Sequence, residues 1–64
     1  MSKYDRTFYS VEACLNFIID EISLCPGDTI KFKNDTDDPY DTEITVVEVY
    51  NSCQDLMASY KISD

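Results

Sequence analysis

A run of carboxylates in the middle of the chain is the feature best suited to carry chemistry. Asp28 and the segment from Asn34 to Glu43 hold six of the thirteen acidic side chains of the protein. Two lysines lie in the same stretch, so residues 26–43 carry a net charge of −4. A dense set of carboxylates can bind a cation, or it can present negative charge to a basic macromolecule.

The start of this segment has the spacing of a calcium-binding loop. Asp35-x-Asp37 matches the first two ligand positions of an EF-hand. The match then ends, because Tyr40 stands where the loop requires glycine and Pro39 stands at its fifth position. Val46 also replaces the glutamate that would close the site. We therefore expect no specific metal site and no cofactor.

The second interpretation is that the carboxylates take the place of nucleic-acid phosphates in a basic groove. In an extended segment residues i and i+2 are about 6.6 Å apart, close to the spacing of successive phosphates. The alternative is a solvated loop whose charges only keep the protein soluble. The residues that we expect to contact a partner are Asp28, Asp35, Asp37, Asp38, Tyr40, Asp41 and Glu43.

Tyr40 is the aromatic residue inside the acidic segment. Tyrosine is a common anchor of protein interfaces, because it combines a large apolar ring with a hydroxyl group. We expect its side chain to be exposed and used for contact. The alternative is that it packs down and fixes the segment.

Catalytic residues are scarce in this sequence. It contains no histidine, and its three cysteines have no CxxC spacing. Cys14 and Cys25 lie on the apolar positions of a predicted helix and are expected to be small core residues, whereas Cys53 lies in a predicted turn and is expected to be exposed. We therefore expect no catalytic site, and the protein is interpreted as a non-enzyme.

One predicted helix and four predicted strands must position these residues. Ser10 is a suitable N-cap, and the helix is expected to run from Val11 to Cys25, where Pro26-Gly27 ends it. Ala13, Phe17 and Leu24 lie between its apolar and polar faces. The apolar positions recur at intervals of three and four residues, and they are Val11, Cys14, Leu15, Ile18, Ile22 and Cys25.

The strands follow from β-favouring runs. Residues 3–9 predict a first strand with Phe8 inward, and residues 29–33 predict a second with Ile30 and Phe32 facing the core. Residues 43–50 predict a third, in which adjacent valines indicate either a bulge or burial on both faces. Residues 56–62 predict a last strand, with a short helix as the alternative over residues 54–62. Its inward positions are expected to be Leu56, Ala58, Tyr60 and Ile62.

The order β-α-β-β-β predicts an α+β fold in which one helix packs on a mainly antiparallel sheet. Residues 1–64 are expected to form a single small two-layer domain, which self-association as a homodimer or a partner would help to stabilise. The net charge of −8 argues against direct binding to nucleic acid or to an anionic membrane. Three cysteines and the absence of an apolar leader or membrane segment favour the cytoplasm.

These features favour a binding role. The leading hypothesis is an inhibitor or modulator that occupies a basic surface of a nucleic-acid-processing protein. In general character the chain is similar to the small inhibitors that phages make against host nucleic-acid machinery, including anti-CRISPR proteins and DNA mimics. The alternative is a structural or adaptor subunit of a larger assembly, docked through an apolar strip that includes Phe17 and Leu24.

Overall fold

The computed structural model describes residues 3–63 as one helix packed on a four-stranded mixed sheet. The elements are β1 (Arg6–Phe8), α1 (Val11–Glu21), β2 (Thr29–Lys33), β3 (Val46–Tyr50) and β4 (Leu56–Ile62). Across the sheet the order is β1-β4-β3-β2, with β1 parallel to β4 and the other neighbours antiparallel. This arrangement confirms the α+β class, the order β-α-β-β-β and the antiparallel meander of the last three strands.

Helix α1 covers one face of the sheet. The Ser10 hydroxyl accepts a hydrogen bond from the backbone N–H of Ala13 at 3.1 Å, so the predicted N-cap is confirmed. Cys14 and Ile18 are completely buried and join Val47 and Val49 in the core. The opposite side of the sheet, which α1 does not cover, is called the open face below.

The helix is shorter than its apolar pattern predicts. It ends at Glu21, and Ile22 adopts an extended conformation while its N–H still bonds to the carbonyl of Ile18 at 2.9 Å. Proline disfavours the helical conformation in the residue before it, and the N–H of Cys25 bonds instead to the Asp28 carboxylate at 2.9 Å. Cys25 is therefore exposed, and its predicted place in the core is wrong.

Three aromatic rings join α1 to the edge of the sheet. Phe17 lies with its ring centroid 5.3 Å from Phe8 and 5.8 Å from Tyr60. The Arg6 guanidinium stands 4.8 Å from the centre of the Phe17 ring. Phe8 points inward as predicted, whereas Phe17 belongs to the core margin and is not part of a free surface strip.

Strand β3 is buried on both faces, as one of the two interpretations of its adjacent valines required. Val47 is 0% exposed on the helix side and Val46 is 3% exposed on the open face. The bulge lies in β4, where Met57 is an extra residue opposite the step from Val49 to Tyr50, and it brings Leu56 opposite Tyr50. Leu56 is consequently 53% exposed, and its predicted inward position is wrong.

The two remaining strand predictions have different outcomes. Residues 56–62 form a strand, so the helical alternative is excluded there. Phe32 was expected to face the core but is 46% exposed. The reason is that α1 packs over β1 and β4, and the edge strand β2 is left with little cover on that side.

Substitutions in α1 test this packing. We expect Ile18→Ala to lower the free energy of unfolding by about 2–5 kcal/mol, because it leaves a cavity in the core. Leu15→Ala should cost less, because Leu15 is only partly buried. Ile19→Ala is the control, since its side chain is 68% exposed and the change should stay within about 0.5 kcal/mol. Urea unfolding followed by circular dichroism measures all three, and an unchanged midpoint for Ile18→Ala would contradict the assignment of the core.

Candidate functional site

The connection between β2 and β3 is a hydrogen-bonded loop. Residues 34–45, called the acidic loop below, contain five carboxylates and no lysine or arginine. The Asn34 amide nitrogen donates to the backbone carbonyls of Asp41 at 3.0 Å and Glu43 at 2.6 Å. Its side-chain oxygen accepts from the N–H of Thr36 at 2.8 Å. One side chain therefore ties the two limbs of the loop together.

Asp35 anchors the acidic loop to the sheet. Its carboxylate accepts hydrogen bonds from the Lys61 ammonium at 2.5 Å, the Thr45 hydroxyl at 2.6 Å and the Tyr4 hydroxyl at 3.2 Å. The hydrogen bonds from Lys61 and Thr45 are the main reasons that the pKa of Asp35 is lowered to about 2. Asp35 is thus committed to an internal ion pair, although the sequence suggested it as a partner contact.

A tight turn forms the tip of the loop. The N–H of Asp41 bonds to the carbonyl of Asp38 at 3.2 Å, and the Asp38 carboxylate accepts from the N–H of Tyr40 at 2.9 Å. The Asp41 carboxylate accepts from the N–H of Glu43 at 3.0 Å. Short polar side chains stabilise turns in this way. The segment is therefore not an extended row, and the regular phosphate-like spacing expected for it is absent.

The turn leaves several groups facing water. Tyr40 is 91% exposed, which confirms its predicted exposure and excludes the alternative that it packs down. Within residues 3–63 the carboxylates of Asp37 and Glu43 make no internal hydrogen bond, and both residues are exposed. Together with the exposed Asp38, these groups form the accessible negative surface of the loop. Asp41 is half-buried, and both of its carboxylate oxygens accept hydrogen bonds within the loop.

Asp28 does not belong to this surface. It lies before β2, whereas the acidic loop follows the other end of that five-residue strand, about 16 Å away along the chain direction. Its carboxylate accepts from the N–H of Cys25 and shapes the turn around Gly27, where φ is 97°. The sequence grouped Asp28 with the loop because separation along a strand does not show in a count of charges.

The open face carries a second set of charged residues. The Lys33 ammonium lies 2.7 Å from the Glu48 carboxylate, which also accepts from the Tyr50 hydroxyl at 2.9 Å. The hydrogen bond from Lys33 is the largest cause of the lowered pKa of Glu48. Lys31 stands 4.6 Å from the centre of the Tyr50 ring. Among the residues that the structure describes, Asp35 and Glu48 are the only carboxylates in ion pairs.

Three other features of the described residues bear on function, namely metal-binding clusters, cysteines and membrane-spanning helices. Residues 3–63 contain no cluster of three or more cysteine or carboxylate side chains placed to share a metal ion. The three cysteines are free thiols; Cys14 is buried, which raises its pKa, and Cys53 is exposed as predicted. No helix in the same residues has the length and apolar character needed to cross a membrane.

The anchor of the loop predicts a specific acid titration. A carboxylate with a folded pKa of about 2 and an ordinary value of 3.8 stabilises the fold above pH 4, and this contribution is lost as the pH falls from about 4 to 2. Carboxyl-carbon NMR should place the Asp35 pKa near 2. In Lys61→Gln it should rise toward 3.8, whereas Lys31→Gln should leave it unchanged. An Asp35 that titrates near 3.8 in the parent protein would exclude the anchor.

Comparisons with known proteins gave no relatives. No protein-family model matches the chain, and neither a search of curated proteins nor a search of solved structures found a match. Any assignment of function therefore rests on the residues of this chain alone.

Proposed function

We propose that the protein is a non-catalytic inhibitor or modulator whose acidic loop occupies a basic surface of a nucleic-acid-processing protein. The observation that carries the proposal is the hydrogen-bonded acidic loop, which presents three exposed carboxylates, the half-buried Asp41 and an exposed tyrosine. The fifth carboxylate, Asp35, holds the loop against the sheet through its contacts with Lys61 and Thr45.

The hydrogen bonds within the acidic loop favour binding, because ordering flexible groups at an interface costs free energy. Ordering loops and side chains at an interface opposes association, and a loop already held in place avoids part of that cost. Asn34, Asp38 and Asp41 supply side-chain hydrogen bonds within the loop. The network lowers the ordering cost of a contact, and this supports a contact role.

The net charge of the protein indicates a partner with a basic surface. The net charge of −8 repels nucleic acid and attracts basic surfaces, and it speeds encounters with them. Proteins that process nucleic acids bind phosphate backbones in basic grooves. Carboxylates held at a turn can occupy such a groove without matching phosphates one by one, and Tyr40 would supply an apolar anchor at the centre of the contact.

The general properties of the chain suggest the class of inhibitor to which it is similar. Small size, acidity and the scarcity of catalytic residues are properties shared with phage inhibitors of host nucleic-acid machinery, such as anti-CRISPR proteins and DNA mimics. Such inhibitors act in the cytoplasm of the host, and we place this protein there as part of the same proposal. The likeness is one of character, because no motif carries it.

The rival role, an adaptor subunit, is favoured by exposed apolar side chains in α1 and in the segments that flank it. Tyr9 is 77% exposed, Ile19 68% and Leu24 39%. Phe17 no longer belongs to this group, since its ring packs against Phe8 and Tyr60. An adaptor would dock through Ile19 and Leu24, so substitution of these two residues separates the two roles.

Two variants with the same change of charge test the proposal. The loop variant changes Asp37, Asp38 and Asp41 to Asn and Glu43 to Gln; asparagine keeps the oxygen acceptors of the turn, and Asp35 is left intact. The matched control neutralises four carboxylates outside the loop, namely Glu12, Asp20, Glu21 and Asp55. The immobilised protein is used to capture partners from a nuclease-treated bacterial lysate, and the affinity of each captured protein is then measured.

We expect the loop variant to bind about thirtyfold more weakly, because four surface charge pairs at about 0.5 kcal/mol each amount to about 2 kcal/mol. The control variant should lose much less. Binding of the parent should weaken between about 50 mM and 300 mM salt and should compete with nucleic acid. Equal losses in both variants would contradict the proposal, and a loss confined to Ile19→Ser/Leu24→Ser would favour the adaptor role.

A further inference from the structure

The open face gathers all four lysines of the protein. Lys31 and Lys33 project from β2 beside Glu48 of β3, and Lys61 projects from β4 to Asp35. Lys3 stands 5.2 Å from the centre of the Tyr4 ring, and the Lys61 ammonium stands 5.7 Å from the same ring. Two of the four ammonium groups are paired with carboxylates, Lys33 with Glu48 and Lys61 with Asp35.

A cavity of about 320 Å³ opens on this face. Val46 and Ser59 form its buried floor, and Tyr4 and Leu56 form apolar parts of its wall. Small-molecule sites in proteins begin at about 300 Å³ and combine apolar walls with a few polar groups. The cavity has this size and this mixture, with Lys3 and Lys33 also in its lining.

Among the described residues, the lining offers no unpaired carboxylate to bind a cation. The Glu48 carboxylate is already neutralised by Lys33 and the Asp35 carboxylate by Lys61. Within residues 3–63, by contrast, Lys3 forms no ion pair and keeps its charge available. A long polyanion is also excluded, because the acidic loop begins in the cavity wall at Asn34 and would repel it. A small anion in the cavity would be repelled less, because salt screens carboxylates that lie more than about 8–10 Å away.

We propose that this cavity binds a small organic anion whose charged group is carried on an aromatic ring. The ring packs on Val46 and Leu56 beside the Tyr4 ring, where aromatic pairs gain more than their buried area alone provides. The phosphate or carboxylate group faces Lys3, since Lys33 is paired with Glu48. The site is separate from the exposed carboxylates of the acidic loop and does not rest on the proposed function.

Phenyl phosphate, inorganic phosphate and phenol are the three probes that separate ring from charge. Each is titrated into the isotope-labelled protein and followed by backbone amide NMR. Phenyl phosphate should shift Tyr4, Val46, Leu56 and Ser59 in a saturable manner, and it should bind about tenfold more tightly than inorganic phosphate or phenol, since each of these lacks one of the two contacts.

Exposed residues provide variants that keep the fold. Lys3→Gln should weaken phenyl phosphate binding about tenfold, as expected for loss of a charged hydrogen-bond donor, while Lys31→Gln on the same face should not. Leu56→Glu should abolish binding by placing a carboxylate at the cavity, whereas the neighbouring Met57→Glu, which lies outside the lining, should bind as the parent does.

Two results would overturn the site. One is binding of phenyl phosphate that is no tighter than that of inorganic phosphate, which would indicate only a nonspecific attraction to lysines. The other is an equal loss in Lys3→Gln and Lys31→Gln, which would show that the whole face and not the cavity attracts the anion. Neither result bears on the acidic loop, so failure here and failure of the proposed function are distinguishable.

Discussion

Burial of β3 on both faces is the constraint around which the molecule is arranged. Val47 and Val49 are completely buried under α1, and Val46 is nearly so on the opposite side. One short helix covers the first face. The second face has no helix to cover it, so side chains from the sheet and from Tyr4 must exclude water from Val46. Lys33 and Lys61 are the cross-strand neighbours of Val46. Their stems and the Tyr4 ring serve this purpose, while their polar ends bind Glu48 and Asp35.

The side chains that cover Val46 on the open face also contact the acidic loop. Lys61 and Tyr4 both reach Asp35, and Asp35 is the second residue of the loop. The contacts that shield Val46 therefore also hold the loop against the sheet. Close carboxylates repel one another, and a loop with five of them would not keep a single conformation unless hydrogen bonds offset that repulsion. Asn34 and Asp35 supply the anchors, and the remaining carboxylates are left for solvent or a partner.

Local pattern in the sequence predicted the elements well and their long-range contacts poorly. The bounds of β2 and β4 follow from period-two alternation, and the start of α1 follows from Ser10. The end of α1 was missed because its apolar period continues past Glu21 while Pro26 and the Asp28 turn set the conformation before it. Leu56 was misplaced because a bulge at Met57 in β4, which local alternation cannot show, shifts its register.

The candidate site shows the same limit. The exposure of Tyr40 could be predicted, because proline and aspartate on either side favour a turn. The role of Asp35 could not, since its partner Lys61 lies 26 residues later and the contact exists only after β3 and β4 have paired. Nothing in the spacing of the acidic residues separates the one that anchors the loop from those that face water.

Backbone relaxation of the acidic loop tests the central claim most directly, which is that this loop is held in one conformation through Asp35. Nitrogen-15 order parameters for residues 36–43 should lie near the value of about 0.85 that is typical of rigid backbone. Lys61→Gln should lower them toward the flexible range below about 0.6 while the values for β3 stay unchanged. Order parameters below about 0.6 in the parent protein would contradict a preorganised binding loop.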